Sequence, residues 1–176
     1  MPNSAPYVSS NGPLAYLITF PTYGTWLHGD DRGSVDREHS IPGTPMLAPN
    51  ERRVRYERRR LRHRPIILND QARRIIRRTV HEVAERRGWT VHASNVRSNH
   101  VHIVVTADRP VERAMNDIKT WCSRRLIEAG IYPPGTRVWV RHGSTRYLWK
   151  TSELNDACRY VVEGQGVDLP DPEPRP

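Results

Sequence analysis

The sequence predicts an α+β fold, a ferredoxin-like βαββαβ sandwich with one helix added at its C-terminal end and a long basic insertion after the first strand. Three observations carry that expectation. Runs rich in β-branched and aromatic residues at 15–23, 89–97, 100–107 and 137–143 read as strands. Amphipathic stretches at 69–87 and about 110–129 fall between them in the order the sandwich requires. A third amphipathic stretch follows the last strand, starting at Thr151 or Ser152 and ending at Gly164 and Gly166.

Taken in order, the 176 residues fit one domain over 14–166, with polar, Pro-rich tails at 1–13 and 167–176 expected to be loosely held. The first strand, "AYLITFPTY", carries Pro21, which places its end or a sheet edge there. From 24 to 68 no clean period exists, which marks an insertion. Within it "ERRVRYERRRLRHR" packs eight arginines into residues 51–64 and reads as a short helix. At 69–87 Asn69 or Asp70 supplies a cap. Ala72, Ile75, Ile76, Thr79, Val80 and Val83 recur at helical spacing, and Gly88 ends the run. "WTVHASNVR" and "HVHIVVTA" then pair as a hairpin. Pro110 opens the next helix, with Val111, Met115, Ile118, Cys122 and Leu126 facing inward and Gly130 stopping it. "RVWVRHG" (137–143) reads as the fourth strand, and "STRYLWK" as its continuation after a bend. In the last helix Leu154, Ala157, Cys158 and Val161 form the buried stripe.

Charge narrows the class of partner. The formal net charge is +9, and of 28 basic residues only Lys119 and Lys150 are lysine. An arginine surplus of this size suits a polyanion, because the guanidinium fork matches phosphate geometry. The tyrosine inside the 51–64 run, Tyr56, adds a ring on which a base can stack. Arg52, Arg53, Arg58 and Arg59 are therefore expected to track phosphates together with Tyr56. Cys122 and Cys158 lie in helical stretches and read as packing residues of a reducing compartment. No stretch approaches the length of a membrane span and the N-terminus lacks an apolar signal core, so a cytoplasmic protein is expected.

Chemistry concentrates in two places. In "SNHVHIVV" (98–105) His100 and His102 share one face of a strand, about 6–7 Å apart along it, while Val101 and Ile103 share the other. Two imidazoles so placed can converge on one metal ion. In the last helix Tyr160 lies about 110° from the centre of the buried stripe, at the boundary where a side chain reaches solvent. Each feature alone also has a plain structural explanation. His28, His39, His63, His81, His92 and His142 lack ligand spacing to one another.

Together, "NHVHIVV", a helix bearing "IKTWCSRRL", and "ACRYVVEGQG" with its tyrosine 58 residues after His102 resemble the HUH-type single-tyrosine transposases of small bacterial insertion sequences. They also resemble the domesticated relatives of that group, the REP-associated tyrosine transposases. The likeness spans 14–166. It implies that His100 and His102 hold a divalent ion, Mg²⁺ or Mn²⁺, and that Tyr160 attacks a phosphodiester to leave a 5′-phosphotyrosine link and a free 3′-hydroxyl. The implied substrate is single-stranded DNA carrying a hairpin or imperfect palindrome. Lys119, Arg124 and Arg125 match basic positions that contact the DNA backbone in those transposases. Imidazole donors suit Mn²⁺, Zn²⁺ or Co²⁺ at least as well as Mg²⁺, so ligand chemistry alone does not fix the ion.

One departure stands out. The transposases place a Gln or Asn one helical turn after the tyrosine to complete the metal site, and position 164 here is glycine. Gln165, set between two glycines, is the preferred third ligand, with Glu163 second and Asp156 third. The same departure is the main support for a rival reading, a domesticated binder that no longer cuts. An RNA-binding ferredoxin-like module is a further alternative, although "HVHIVV" lacks the paired stacking aromatics such domains use. The glycine-rich stretches 24–34 and 141–149 are candidate linings of a single-strand groove. Monomer and homodimer both remain open.

Overall fold

The structure is a computed structural model and describes residues 12–27 and 49–166. The expected tails at 1–11 and 167–176 lie outside the described residues. So do 28–48 of the insertion, with His28 and His39. Eight elements follow in order: β1 (Ala15–Pro21), α1 (Glu51–Arg59), α2 (Asp70–Arg87), β2 (Thr90–Val96), β3 (His100–Thr106), α3 (Val111–Glu128), β4 (Ser144–Leu148) and α4 (Thr151–Glu163).

The strands form one antiparallel sheet in the order β2-β3-β1-β4, the arrangement a βαββαβ sandwich produces. Strand alternation divides the sheet into two faces. Tyr16, Ile18 and Phe20 of β1 and Val101, Ile103 and Val105 of β3 face α2 and α3, which supply Ile76, Val80, Ile118 and Leu126 to the main core. Phe20 is fully buried there, its ring edge-on to Trp139 at 5.0 Å. Burying each side chain of this size contributes about 1.5–3 kcal/mol. The opposite face carries Ala15, Ala93 and Val104, and α4 lies across it through Ala157 and Val161. This second core is small. β3 is therefore covered on both sides, which explains why it reads as a nearly continuous apolar run.

The helix ends follow the expected chemistry. Asn69 caps α2 by accepting from the Ala72 amide at 2.9 Å, and Gly88 closes the helix in the left-handed conformation with φ 69°. Glu153 reaches back to accept from the amides of Trp149 (2.8 Å) and Lys150 (3.3 Å), satisfying donors before the first turn of α4.

The fourth strand differs from its expected place. Residues 137–143 do not join the ladder beyond an isolated bridge between Thr22 and Trp139, and β4 is the stretch read as a continuation, Ser144–Leu148. Val138 and Trp139 are apolar because they are buried in the main core. The carbonyls of Val140 and His142 accept from the Lys119 ammonium, at 3.2 and 3.0 Å. Gly143 then passes so close to β1 that a β-carbon would stand 2.5 Å from the Thr19 carbonyl oxygen. After that crossing the continuous ladder with β1 begins, Ser144 opposite Thr19.

Candidate functional site

Register builds the site. His102 sits opposite Thr19 on β1 and Asn95 on β2, so these three side chains form one row on the α4 face, and His100 lies two residues nearer the end of the sheet. The two imidazoles meet edge to face, ring centroids 4.5 Å apart at 86°. His102 is 4% exposed; its Nδ1 pairs with the Thr19 hydroxyl at 2.7 Å, and its Nε2 has no hydrogen-bond partner of ordinary geometry among the described residues. Burial pulls its pKa down to about 4, the neighbouring His100 and Arg97 add to the shift, and the nearby Gln165 amide opposes it. His102 is neutral at pH 7, the state in which an imidazole can donate a lone pair.

α4 ends over this pair. Asn95 donates from Nδ2 to the Val161 carbonyl (2.9 Å), tying the last turn to β2. The Gly164 amide and the Gln165 side-chain nitrogen both donate to the Tyr160 carbonyl, at 2.9 and 3.0 Å. With its nitrogen turned away, Gln165 presents its amide oxygen to His100, 3.4 Å from Nε2. The Arg97 guanidinium donates to the Gly166 carbonyl and closes the same corner. The Tyr160 ring stands edge-on to His102, centroids 5.6 Å apart, with the residue 48% exposed. A half-exposed phenol thus sits beside a buried imidazole, a half-buried one and an amide oxygen.

The residues present fit a divalent ion in their chemistry. Two nitrogen donors, one of them a buried atom without a partner, share a corner with an oxygen donor. Among the described residues no three His, Cys, Asp or Glu side chains cluster as a metal site would need, and the side-chain oxygen that faces the histidines is the Gln165 amide. Glu163 and Asp156, the other two candidates, do not join the histidines. They line an open concavity along the solvent side of α4 with Arg159, Tyr160 and Gly164, and Asp156 pairs with Arg159 at 3.9 Å.

The expected DNA-contacting residues divide. Lys119 is no surface charge: it is 6% exposed, holds the 140–142 carbonyls, lies 5.4 Å over the Phe20 ring, and has its pKa lowered to about 8 by burial. Arg124 stacks on Trp121 at 4.8 Å and Arg125 pairs with Glu82 and Glu128, so both belong to the surface of α3, away from the histidine face. In contrast, α1 buries none of its residues. Arg52, Arg58 and Arg59 are exposed, Arg53 is half-buried, and Tyr56 is 58% exposed under the Arg60 guanidinium. At the end of β4, Tyr147 and the following Trp149 stack with exposed rings, centroids 6.3 Å apart, within the 141–149 stretch. Sequence reasoning missed Thr19, Asn95, Arg97 and Asn99. Each acts through cross-strand register or a helix end, which no local pattern reveals.

Together these elements define a class: a ferredoxin-like sheet whose second face carries a histidine pair beneath a helix-borne tyrosine. The family model for IS200-like transposases matches residues 59–156, more than half of the chain, and the chain belongs to that family. No curated protein matches it in sequence. Among solved structures, a candidate transposase of Deinococcus radiodurans R1 is similar in fold at 13% identity and a TM-score of 0.50, covering 95% of this chain and 100% of the other. A REP-associated tyrosine transposase bound to a REP hairpin matches at 12% identity and a TM-score of 0.44, covering 92% of this chain and 70% of that one. No helix among the described residues is long and apolar enough to cross a membrane.

Proposed function

We infer that this transposase-family chain is a metal-dependent single-strand DNA endonuclease and strand transferase, with Tyr160 as nucleophile. The observation that carries the reading is the meeting of His100, His102, the Gln165 amide oxygen and Tyr160 at one corner of the sheet. The substrate is a single strand with a hairpin or imperfect palindrome, held in part by the arginines of α1. The protein works in the cytoplasm, on the nucleoid when DNA-bound.

His100, His102 and Gln165 would hold the divalent ion, Mg²⁺ or Mn²⁺. When bound, such an ion neutralises charge at a non-bridging oxygen of the scissile phosphate. The protein's own part is placement. The Tyr160 oxygen forms a bond to phosphorus as the bond from phosphorus to the 3′-oxygen breaks. The phenol proton passes to water, and the departing 3′-oxygen takes one up. The product is a 5′-phosphotyrosine link and a free 3′-hydroxyl. Running the same step backwards reseals a strand without ATP.

Gln165 also bears on the rival reading of a binder that has lost catalysis. The glycine at 164 supported that reading as a gap in the ligand set, and an amide oxygen one residue later, facing His100, weakens it. The test incubates the protein with hairpin oligonucleotides drawn from DNA flanking its gene, in Mn²⁺ or Mg²⁺ and in EDTA, and resolves products under denaturing conditions. We expect cut strands and a protein-bound strand with metal and neither in EDTA. Tight binding with no cut product in either metal would establish the binder instead.

A further inference from the structure

Asn99 takes no part in the proposed ligand set or in the attack, yet it is buried and touches His100. We propose that Asn99 is a positioning residue that sets the tautomer of His100, so that the imidazole turns an unprotonated Nε2 toward the metal corner. This deepens the metal-site reading above and rests on it.

His100 Nδ1 lies 2.7 Å from the Asn99 side-chain oxygen, and an amide oxygen has no proton to give. The same holds for Gln165 Oε1 opposite Nε2, so a neutral ring can serve only one of the two contacts, and the shorter one, 2.7 against 3.4 Å, puts the proton on Nδ1. In a neutral imidazole the other nitrogen then carries only its lone pair. That nitrogen faces Gln165 Oε1 at 3.4 Å, and the Gln165 amide is held in this sense by its own donation to the Tyr160 carbonyl. With the proton on Nδ1, this long contact has no proton to share, and a cation placed there would take a lone pair from each atom. An outer partner on the second ring nitrogen is the usual means of orienting a histidine ligand.

Asn99 is itself fixed by its backbone. Its carbonyl accepts from the Thr22 amide at 2.8 Å, with the Thr22 and Thr25 hydroxyls at 3.0 and 3.2 Å. The preceding Ser98 carbonyl accepts from the Leu68 amide at 2.7 Å. The turn between β2 and β3 is thus pinned to the end of β1 and to the segment leading into α2. None of these bonds uses the Asn99 side chain, so Asn99→Ala should keep the fold.

The test reads the tautomer directly, by long-range ¹H–¹⁵N NMR of metal-free protein at mildly alkaline pH, and Mn²⁺ affinity by electron paramagnetic resonance. Wild type should show His100 as the Nδ1–H form. Asn99→Ala should show a mixture and bind Mn²⁺ about 10–100-fold more weakly. Asn99→Asp, which keeps an acceptor, should restore both. A wild-type Nε2–H form, or an Asn99→Ala protein with tautomer and affinity unchanged, would overturn the proposal even if Mn²⁺ binds tightly. The expected tautomers with no Mn²⁺ or Mg²⁺ binding would overturn the metal-site reading and leave Asn99 as the residue that orients the imidazole.

Discussion

At position 164 a β-carbon would stand 2.8 Å from the Tyr160 carbonyl oxygen and 2.9 Å from Cδ2 of the Tyr160 ring. The glycine is there because the chain folds back tightly over the nucleophile candidate to deliver Gln165. Gly164→Ala should therefore push the ring from His102. A displacement of that kind lowers a positioned reaction by as much as about 100-fold. Cleavage assays beside thermal melts check this: we expect lost activity together with some loss of stability from the contact with the Tyr160 carbonyl, and undiminished cutting would show that Tyr160 is not held by this contact. His102 makes a second prediction. It takes up a proton near pH 4 in the folded chain against an ordinary 6.5, so the unfolded chain binds more protons between those values. Stability should fall as pH drops through that window, by an amount on the order of 3 kcal/mol, and this group should contribute no pH dependence above it. Urea melts near neutral pH and near the low end of the window, on wild type and His102→Gln, should show the slope flattened in the variant.

Among the elements, α1 and α3 carry opposite predictions for binding and folding. Because α1 buries nothing, replacing Arg52, Arg53, Arg58 and Arg59 with glutamine should leave the melting temperature nearly unchanged. Each arginine that contacts a phosphate should reduce the salt slope of single-strand binding by about 0.7 when lost. Lys119→Met should behave oppositely, since it strands the Val140 and His142 carbonyls: about 1–3 kcal/mol of stability lost and the salt slope intact. Fluorescence anisotropy over a range of salt, with melts on the same samples, distinguishes the two. The contrast shows where sequence reading succeeds. The helices at 70–87 and 111–128 were legible because every inward position recurs at the helical period and ends in a cap or glycine. The fourth strand was not, because Val138 and Trp139 look like strand residues while serving the core, and a buried lysine takes the carbonyls that a ladder would use.

Across the whole molecule, the sheet divides its labour. One face packs α2 and α3 and supplies most of the core; the other has a small apolar contact with α4 and, beyond it, the polar corner of His100, His102, Gln165 and Tyr160. The histidine pair was readable from its period of two, and Tyr160 from its place at the rim of a helical stripe. Gln165 was named from its place between two glycines, although the helical period could not orient it because α4 stops at Glu163, and Asn99 and Thr19 became visible only with the register of β1 against β3. The central claim is that Tyr160 carries the cut strand. The measurement that tests it is peptide mapping by mass spectrometry of the denaturant-stable adduct formed with a flanking hairpin strand and Mn²⁺. The account predicts a phosphodiester-linked nucleotide on the peptide containing Tyr160 and no adduct from Tyr160→Phe, with DNA binding retained; an adduct on another residue, or one that survives in the phenylalanine variant, would contradict it.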